Sequence, residues 1–523
     1  MTDPNSAYVD ELYFEYLRNP DSVSPEWKEY FAQNPQLTNA PAPQQNGNST
    51  SANASTGNVA TPPIPQNGAA LKAETPAPAP TPAPAASATP ANGTSKPKSN
   101  VFLGPNDSLE PLNSLAEKIA ANMENSLRVP TATSIRTIPV KALEENRVII
   151  NTFLTKHRKK KISFTHILAW AIVRSLKRFP QMNDAYAVVD GKPTRVKRGS
   201  INMGLAVDTT RKDGMRSLVV PSIKNSQTMN FAEFVAGYDG LIAKSRTNKL
   251  TLDDMMGASV SLTNPGMIGT EASVPRLMEG QGLIIAAGSI DYPAEFGAVM
   301  PDALSSLAIS KVVTVTSTYD HRIIQGAESG EFLQYMHKLL TGEEQFYDQI
   351  FASLHIPFEP MRWTADKGIN PFLPQDQANA LEKETRVVQM INSYRVRGHL
   401  LADINPLGHQ AYHFPELNPA SYGFTIWDLD REFDTGGLAG LTRMTLRNIL
   451  EMLREVYCGT TGIEYMHMQT PEKKLWVQKK IEHTGLLKPY DKNKKEHIFK
   501  KIVAAEVFEN FLHTKFLGQK RFS

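Results

Sequence analysis

The sequence predicts an α/β (α+β) domain in the middle of the chain, with a Pro/Ala-rich linker before it and a mainly helical region after it. Three observations carry that prediction. Between Val101 and Pro357, strand-length runs at Ile201–Val207, Leu218–Ile223, Ala258–Thr263, Leu283–Ile290 and Lys311–Tyr319 are interspersed with helical patterns. After a breaker-rich passage ending near Pro374 the patterns are helical, over Ala380–His399, Arg443–Tyr457, Pro471–His483 and Glu496–Phe516. From Pro41 to Asn100 there are 12 prolines and no aromatic residue, a composition that cannot bury a core and favours an extended, solvated tether. The predicted boundaries are therefore 1–40, 41–100, 101–357 and 358–523.

Taken in order, Val9, Leu12, Tyr13, Tyr16 and Leu17 repeat with helical spacing. A second helix is predicted from Ser24 as N-cap and Pro25 as first helical residue, carrying Trp27, Tyr30 and Phe31. So short an aromatic segment cannot bury its rings alone; it docks on another domain, on another protein, or back onto its own chain. Phe164, Leu168, Ile172, Leu176 and Phe179 form one apolar stripe that stops at Pro180. In the last strand run, Val313, Val315 and Ser317 alternate with Thr314, Thr316 and Thr318. No internal repeat of fixed period is present.

With 523 residues the chain has room for about three domains. A hydrophobic fraction of 41%, a charged fraction of 21% and a net charge of +3 exclude collagenous, wholly disordered and nucleic-acid-coating classes. The one cysteine, Cys458, excludes an intrachain disulfide or a thiolate metal cluster and fits a reducing compartment. The start of the sequence lacks a basic n-region and an apolar h-region, and no apolar run is long enough to cross a bilayer. A cytoplasmic protein without membrane or nucleic-acid partners is expected. No His-Glu-x-x-His, Walker-A loop or dinucleotide-binding glycine pattern occurs, and no metal site is expected.

Chemistry concentrates at Ser317–Gly326, where a strand runs into Asp320-His321-Arg322. An imidazole with a reference pKa near 6.5 suits a base at neutral pH, although a surface Asp-His-Arg cluster without chemistry has the same spacing. The run His157-Arg158-Lys159-Lys160-Lys161 reads either as a phosphate-facing patch or as a solvated approach to the helix after Ser163.

The Asp320-His321-Arg322 segment with Gly326 resembles the signature of the acyltransferase component of 2-oxo acid dehydrogenase complexes, a family whose fold is like that of chloramphenicol acetyltransferase. Arg128–Val140, Ser217–Asn225 and Ser261–Gly269 are similar to three further segments of that family, in its order. The resemblance implies that His321 is the general base on the thiol of coenzyme A, and that the hydroxyl of Thr263 stabilises the oxyanion formed at acyl-dihydrolipoamide. It also implies a trimer, with the His supplied across a subunit interface, and a lipoyl group carried by a partner. Where family members usually carry Asp or Asn this chain has Gln325, which leaves open a non-catalytic trimer-forming scaffold. A free-standing acetyltransferase acting on small hydroxyl compounds is a third reading.

A second resemblance covers the two ends. Tyr8–Tyr13, Pro25–Trp27, Ile391–His399 followed by Asp403–Leu407, Gly462–His467 and Gly518–Ser523 are similar to the N-terminal part of the thiamine-dependent 2-oxoglutarate dehydrogenase component. An acyltransferase domain placed between these parts resembles the actinobacterial multifunctional 2-oxoglutarate enzymes of the citric acid cycle, of which the chain reads as an N-terminal fragment. That implies succinyl as the acyl group, with the lipoyl-bearing acyltransferase of the pyruvate dehydrogenase complex and dihydrolipoamide dehydrogenase as partners. A forkhead-associated regulator is a further implied partner. Thiamine diphosphate and Mg are implied only for the full-length enzyme, and Arg521 corresponds to an Arg near that cofactor. His399 and His513 read as structural histidines.

Overall fold

A computed structural model describes residues 12–13, 16, 20, 23–33, 104, 106–112, 114–210, 216–247, 249–366, 374–405, 413–484, 490–516 and 518. They fall into two units, Met1–Phe31 with Ser114–Ser523, and Ala32–Asn113. In the second unit the Gly104 N–H donates to the Asp107 carboxylate at 2.6 Å. The predicted linker, 41–100, lies outside the described residues, as does most of the helix predicted around Val9–Leu17.

The first half of the larger unit runs α1 (Pro25–Gln33), α2 (Ser114–Ser126), β1 (Thr131–Pro139), α3 (Lys141–Lys156), α4 (Phe164–Arg178), β2 (Ala185–Val189), β3 (Lys192–Val196), β4 (Met203–Leu205) and β5 (Val207–Thr210). It continues with β6 (Arg216–Val219), β7 (Ser222–Ile223), α5 (Phe231–Arg246), α6 (Leu252–Met255), β8 (Val260–Thr263), β9 (Leu283–Asp291), α7 (Pro301–Ser306), β10 (Val312–Asp320), α8 (Gly326–Leu340) and α9 (Phe346–Leu354). The helical region holds α10 (Pro374–Arg397), a two-stranded ribbon of β11 (Glu432–Asp434) and β12 (Arg443–Thr445), α11 (Leu446–Tyr457), α12 (Pro471–Thr484) and α13 (Lys492–Lys515).

Six strands form one mixed sheet in the order β1-β10-β9-β8-β4-β7. β8 runs parallel to β9 and to β4, whereas β10 runs antiparallel to both β1 and β9. The run Leu218–Ile223 was expected to be one strand and is two. Pro221 has no N–H to give to a ladder, so the chain leaves the β5–β6 ribbon at Val219 and joins the main sheet as the edge strand β7.

Helix α4 occupies the core, with Ile167, Ala169, Ala171, Ile172, Val173 and Leu176 all buried. Ser163 enters it in an extended conformation, and Phe179, restricted by Pro180, leaves it. Asn230 and Glu233 start α5 by exchanging hydrogen bonds at 3.0 and 2.9 Å.

The α/β domain and the helical region share one hydrophobic cluster. Their seam is also electrostatic: buried Glu145 on α3 meets Lys141 at 2.8 Å and Arg447 on α11 at 2.7 Å, and Asp430 meets the same two cations at 2.5 and 2.6 Å. Arg443–Thr445, expected to be helical, is extended because it pairs with Glu432–Asp434; Thr445 then caps α11 by accepting from the Asn448 N–H. The aromatic N-terminal segment folds back on its own chain. Trp27 and Phe31 are buried in a cluster with Val23, Leu12, Tyr13, Tyr16, Tyr30 and Leu252 of α6.

Truncating the core helix by Ile172→Ala is expected to lower unfolding free energy in urea by about 2–5 kcal/mol, whereas Leu218→Ala, at an exposed site, should stay within about 0.5 kcal/mol.

Candidate active site

His321 follows the last residue of β10, in a turn held from several sides. Asp320 is buried, and its carboxylate accepts from the Arg322 backbone N–H at 3.0 Å and from the Arg322 guanidinium at 2.9 and 2.6 Å. That guanidinium lies 3.7 Å from the centre of the Tyr186 ring, which anchors the turn to the β2–β3 hairpin. Backbone bonds from Asp320 to Gly282 and from His321 to Pro130 close the turn at 3.0 and 2.9 Å. A side chain at position 282 would collide with the Asp184 carbonyl, so glycine is what lets the chain entering β9 pass so close to the start of β2.

The His321 ring itself is exposed, with the Tyr319 ring edge-on at 5.6 Å between centres. Its Nδ1 lies 3.1 Å from the Ile324 carbonyl oxygen. A carbonyl can only accept, so Nδ1 carries the proton and Nε2 presents its lone pair. Gln325 does not touch this arrangement. It is the N-cap of α8, and its backbone N–H donates to Glu328 at 2.8 Å.

Thr263 ends β8 and is half-buried. The turn after it, Pro265–Ile268, lies flat on β9: a Cβ at Gly266 would fall 2.1 Å from the Gly288 carbonyl carbon. Asn264 donates to the Thr165 hydroxyl at 2.8 Å and so ties this strand end to the first turn of α4. Within one chain the two predicted residues do not meet. Thr263 is level with Ala286, and Ala286 with Thr316. His321 lies five residues further along, about 17 Å down the strand direction, and two strand spacings away, about 10 Å across.

The first turn of α4 also carries a buried group that sequence reading did not single out. His166 accepts the Ser163 N–H at Nδ1, 2.9 Å away, with the Ser163 hydroxyl at 2.8 Å, and its Nε2 faces Asp239 of α5 at 3.2 Å. Burial lowers its pKa, outweighing Asp239. The available signal was the Ser163-x-x-His166 spacing of a helix start; its acidic partner is 73 residues away.

Of the basic run, His157 is used structurally, between the Phe153 carbonyl and Asp403 at 2.8 and 2.9 Å, while Lys159, Lys160 and Lys161 are exposed. His399 is 3.7 Å from Glu464, and His513 is exposed on α13. Arg521 lies outside the described residues. Among the described residues no group of three or more His, Cys, Asp or Glu side chains could hold a metal ion. No described helix is long and apolar enough to cross a membrane.

Residues 105–347 match the family of 2-oxoacid dehydrogenases acyltransferase (catalytic domain), and residues 1–37 match the 2-oxoglutarate dehydrogenase N-terminus. The chain is 46% identical to the multifunctional 2-oxoglutarate metabolism enzyme of Mycolicibacterium vanbaalenii, across 99% of this chain and 42% of that protein. It is 44% identical to the 2-oxoglutarate dehydrogenase E1/E2 component of Corynebacterium glutamicum, across 99% and 41%. It thus spans about two-fifths of the length of these relatives. Among solved structures, the cubic core of the pyruvate dehydrogenase multienzyme complex is 26% identical, covering 47% of this chain and 96% of that one, with a TM-score of 0.40.

A buried imidazole with a lowered pKa takes up protons more readily in the unfolded chain, so its stabilising contribution is full above the unfolded value near 6.5 and is lost as pH falls toward the folded one. Melting temperature should therefore drop as pH falls from 7 to 5, and His166→Asn should flatten that drop, measured as the difference between the two pH series.

Proposed function

We propose, from the premise that residues 105–347 form an acyltransferase catalytic domain of the 2-oxoacid dehydrogenase family, that this chain transfers a succinyl group from dihydrolipoamide to coenzyme A within a 2-oxoglutarate dehydrogenase system. The choice of succinyl is supported by the relatives, which are named for 2-oxoglutarate. The observation that carries the catalytic reading is the contact between His321 Nδ1 and the Ile324 carbonyl, which leaves Nε2 free as a base.

In this mechanism His321 Nε2 takes the thiol proton of coenzyme A as the sulfur forms a bond to the thioester carbonyl carbon. Thr263 donates its hydroxyl hydrogen to the carbonyl oxygen while that oxygen is negative. When the carbonyl re-forms, the bond to the dihydrolipoamide sulfur breaks, and His321 returns the proton to the departing thiolate. A thiol with a pKa near 8.5 needs only a modest base, so an imidazole held in one tautomer suffices. Because His321 and Thr263 are far apart in one chain, each site takes His321 from one copy and Thr263 from the next, which makes the working unit a homo-oligomer, in this reading a trimer.

The succinyl group arrives on the lipoyl arm of a partner acyltransferase, and dihydrolipoamide dehydrogenase reoxidises that arm. Thiamine diphosphate, Mg and a forkhead-associated regulator belong in this reading to the longer multifunctional arrangement, and no step above passes through them. Gln325 serves the start of α8, so nothing in its position favours a scaffold without turnover.

The test is formation of succinyl-coenzyme A from coenzyme A and succinyl-dihydrolipoamide by the purified chain. His321→Ala should lower turnover by at least about 10²-fold, and Thr263→Ala by about 10²–10³-fold. A wild type no faster than His321→Ala, with both chains folded, would overturn the enzyme reading in favour of the scaffold.

A further inference from the structure

Away from His321 and Thr263, a cavity of about 420 Å³ opens between α3 of the acyltransferase domain and α11 of the helical region. That volume lies in the range of small-molecule sites, and since about 150 Å³ is enough to hold benzene, it takes a body of roughly fifteen non-hydrogen atoms. Val148, Ile149 and Phe153 form one wall, Leu450 the other, and Phe358 and Met361 the floor.

Three cations on this lining, Lys156, Arg158 and Arg454, have no ion-pair partner among the described residues, and Arg158 is exposed to water. Arg454 lies 4.5 Å from the centre of the Phe358 ring, and its buried Nε has no hydrogen-bond partner among the described residues. Lys156 stands on the opposite wall, an exposed residue at the cavity mouth; partial desolvation there lowers its pKa, Glu451 and Glu455 act on it from a distance against that effect, and Arg454 adds to it. Glu451 and Glu455 are exposed, as Lys156 is, and neither forms an ion pair with it. Glu145 and Arg447, also on the lining, neutralise each other. What the cavity lacks is a negative group between Lys156 and Arg454, attached to something apolar.

We infer that this cavity is a binding site for a small amphipathic carboxylate, its apolar body between α3 and α11 and its charge between Lys156 and Arg454. An occupant would touch both the acyltransferase domain and the helical region, and so would stiffen the seam between them. The inference is independent of whether the chain performs succinyl transfer.

The chain supplies its own reporter. Cys458, its one cysteine, lines the cavity and is buried, and burial pushes the thiol up to about 12. The experiment follows modification of Cys458 by 4,4′-dithiodipyridine while decanoate is titrated into the full chain at constant pH, with decyltrimethylammonium as the cationic counterpart. Decanoate should slow modification saturably, by about tenfold at ten times its dissociation constant, and decyltrimethylammonium should not. Val148→Trp, at a half-exposed lining position where an added ring is tolerated, should remove the decanoate dependence, and Thr152→Trp is the second filling variant if the first does not fold. Lys156→Met should shift saturation to higher decanoate. No protection up to millimolar decanoate, equal protection by the cation, or unchanged protection in a folded filled variant would overturn the site.

Discussion

The direction of three neighbouring strands decides where the proposed chemistry can occur in this chain. β8 and β9 run parallel and β10 runs against them, so a residue leaving the end of β8 and one leaving the end of β10 emerge at opposite ends of the sheet. Thr263 and His321 are those residues. Side-chain motion cannot close about 20 Å, and the strands are held by ladders and by close glycine packing at Gly266, Gly282 and Gly288. A reaction that uses both side chains on one thioester is therefore confined to contacts between copies, and the sheet acts as a ruler that sets their spacing. Local structure then prepares each end. The backbone of Ile324 selects the His321 tautomer, and Asn264 with Thr165 pins the strand end that carries Thr263.

The second constraint is the seam with the helical region. Glu145 is buried and ionically linked to Lys141 and Arg447, an arrangement whose formation gains little over apolar packing but whose disruption leaves charges stranded. It ties α3 to α11 in one orientation and so fixes the two walls of the cavity between them. His157 adds a tie to Asp403 further along the same side.

Much of the fold was legible because its strongest elements are buried on a regular period. β9 and β10 begin and end within a residue or so of the apolar runs that predicted them, and α4 stops before Pro180. β1 was harder to read, because Thr131, Thr133, Ser134, Arg136 and Thr137 give it no apolar alternation; its place is set by pairing with β10. The β2–β3 hairpin is largely exposed and equally silent. For the candidate site, spacing alone did not separate His321 from a surface Asp-His-Arg cluster, nor Thr263 from ordinary turn chemistry; both were singled out by the resemblance of their segments to the acyltransferase family. Their separation was not legible, since it depends on register across β8, β9 and β10. The Ile324 contact was hidden for a different reason: a backbone carbonyl leaves no trace in residue identity. The His166–Asp239 pair joins two helices, and no local pattern announces it.

In the proposed mechanism one copy supplies the base and its neighbour the oxyanion donor. The direct measurement is to mix His321→Ala and Thr263→Ala chains, let their subunits exchange, and assay succinyl-coenzyme A formation before and after exchange. Each variant alone has every site broken; after random exchange about a quarter of the sites combine an intact His321 with an intact Thr263, so activity should rise to roughly that fraction of wild type. Activity that stays at the level of the separate variants, while exchange is verified by mass, would contradict the account.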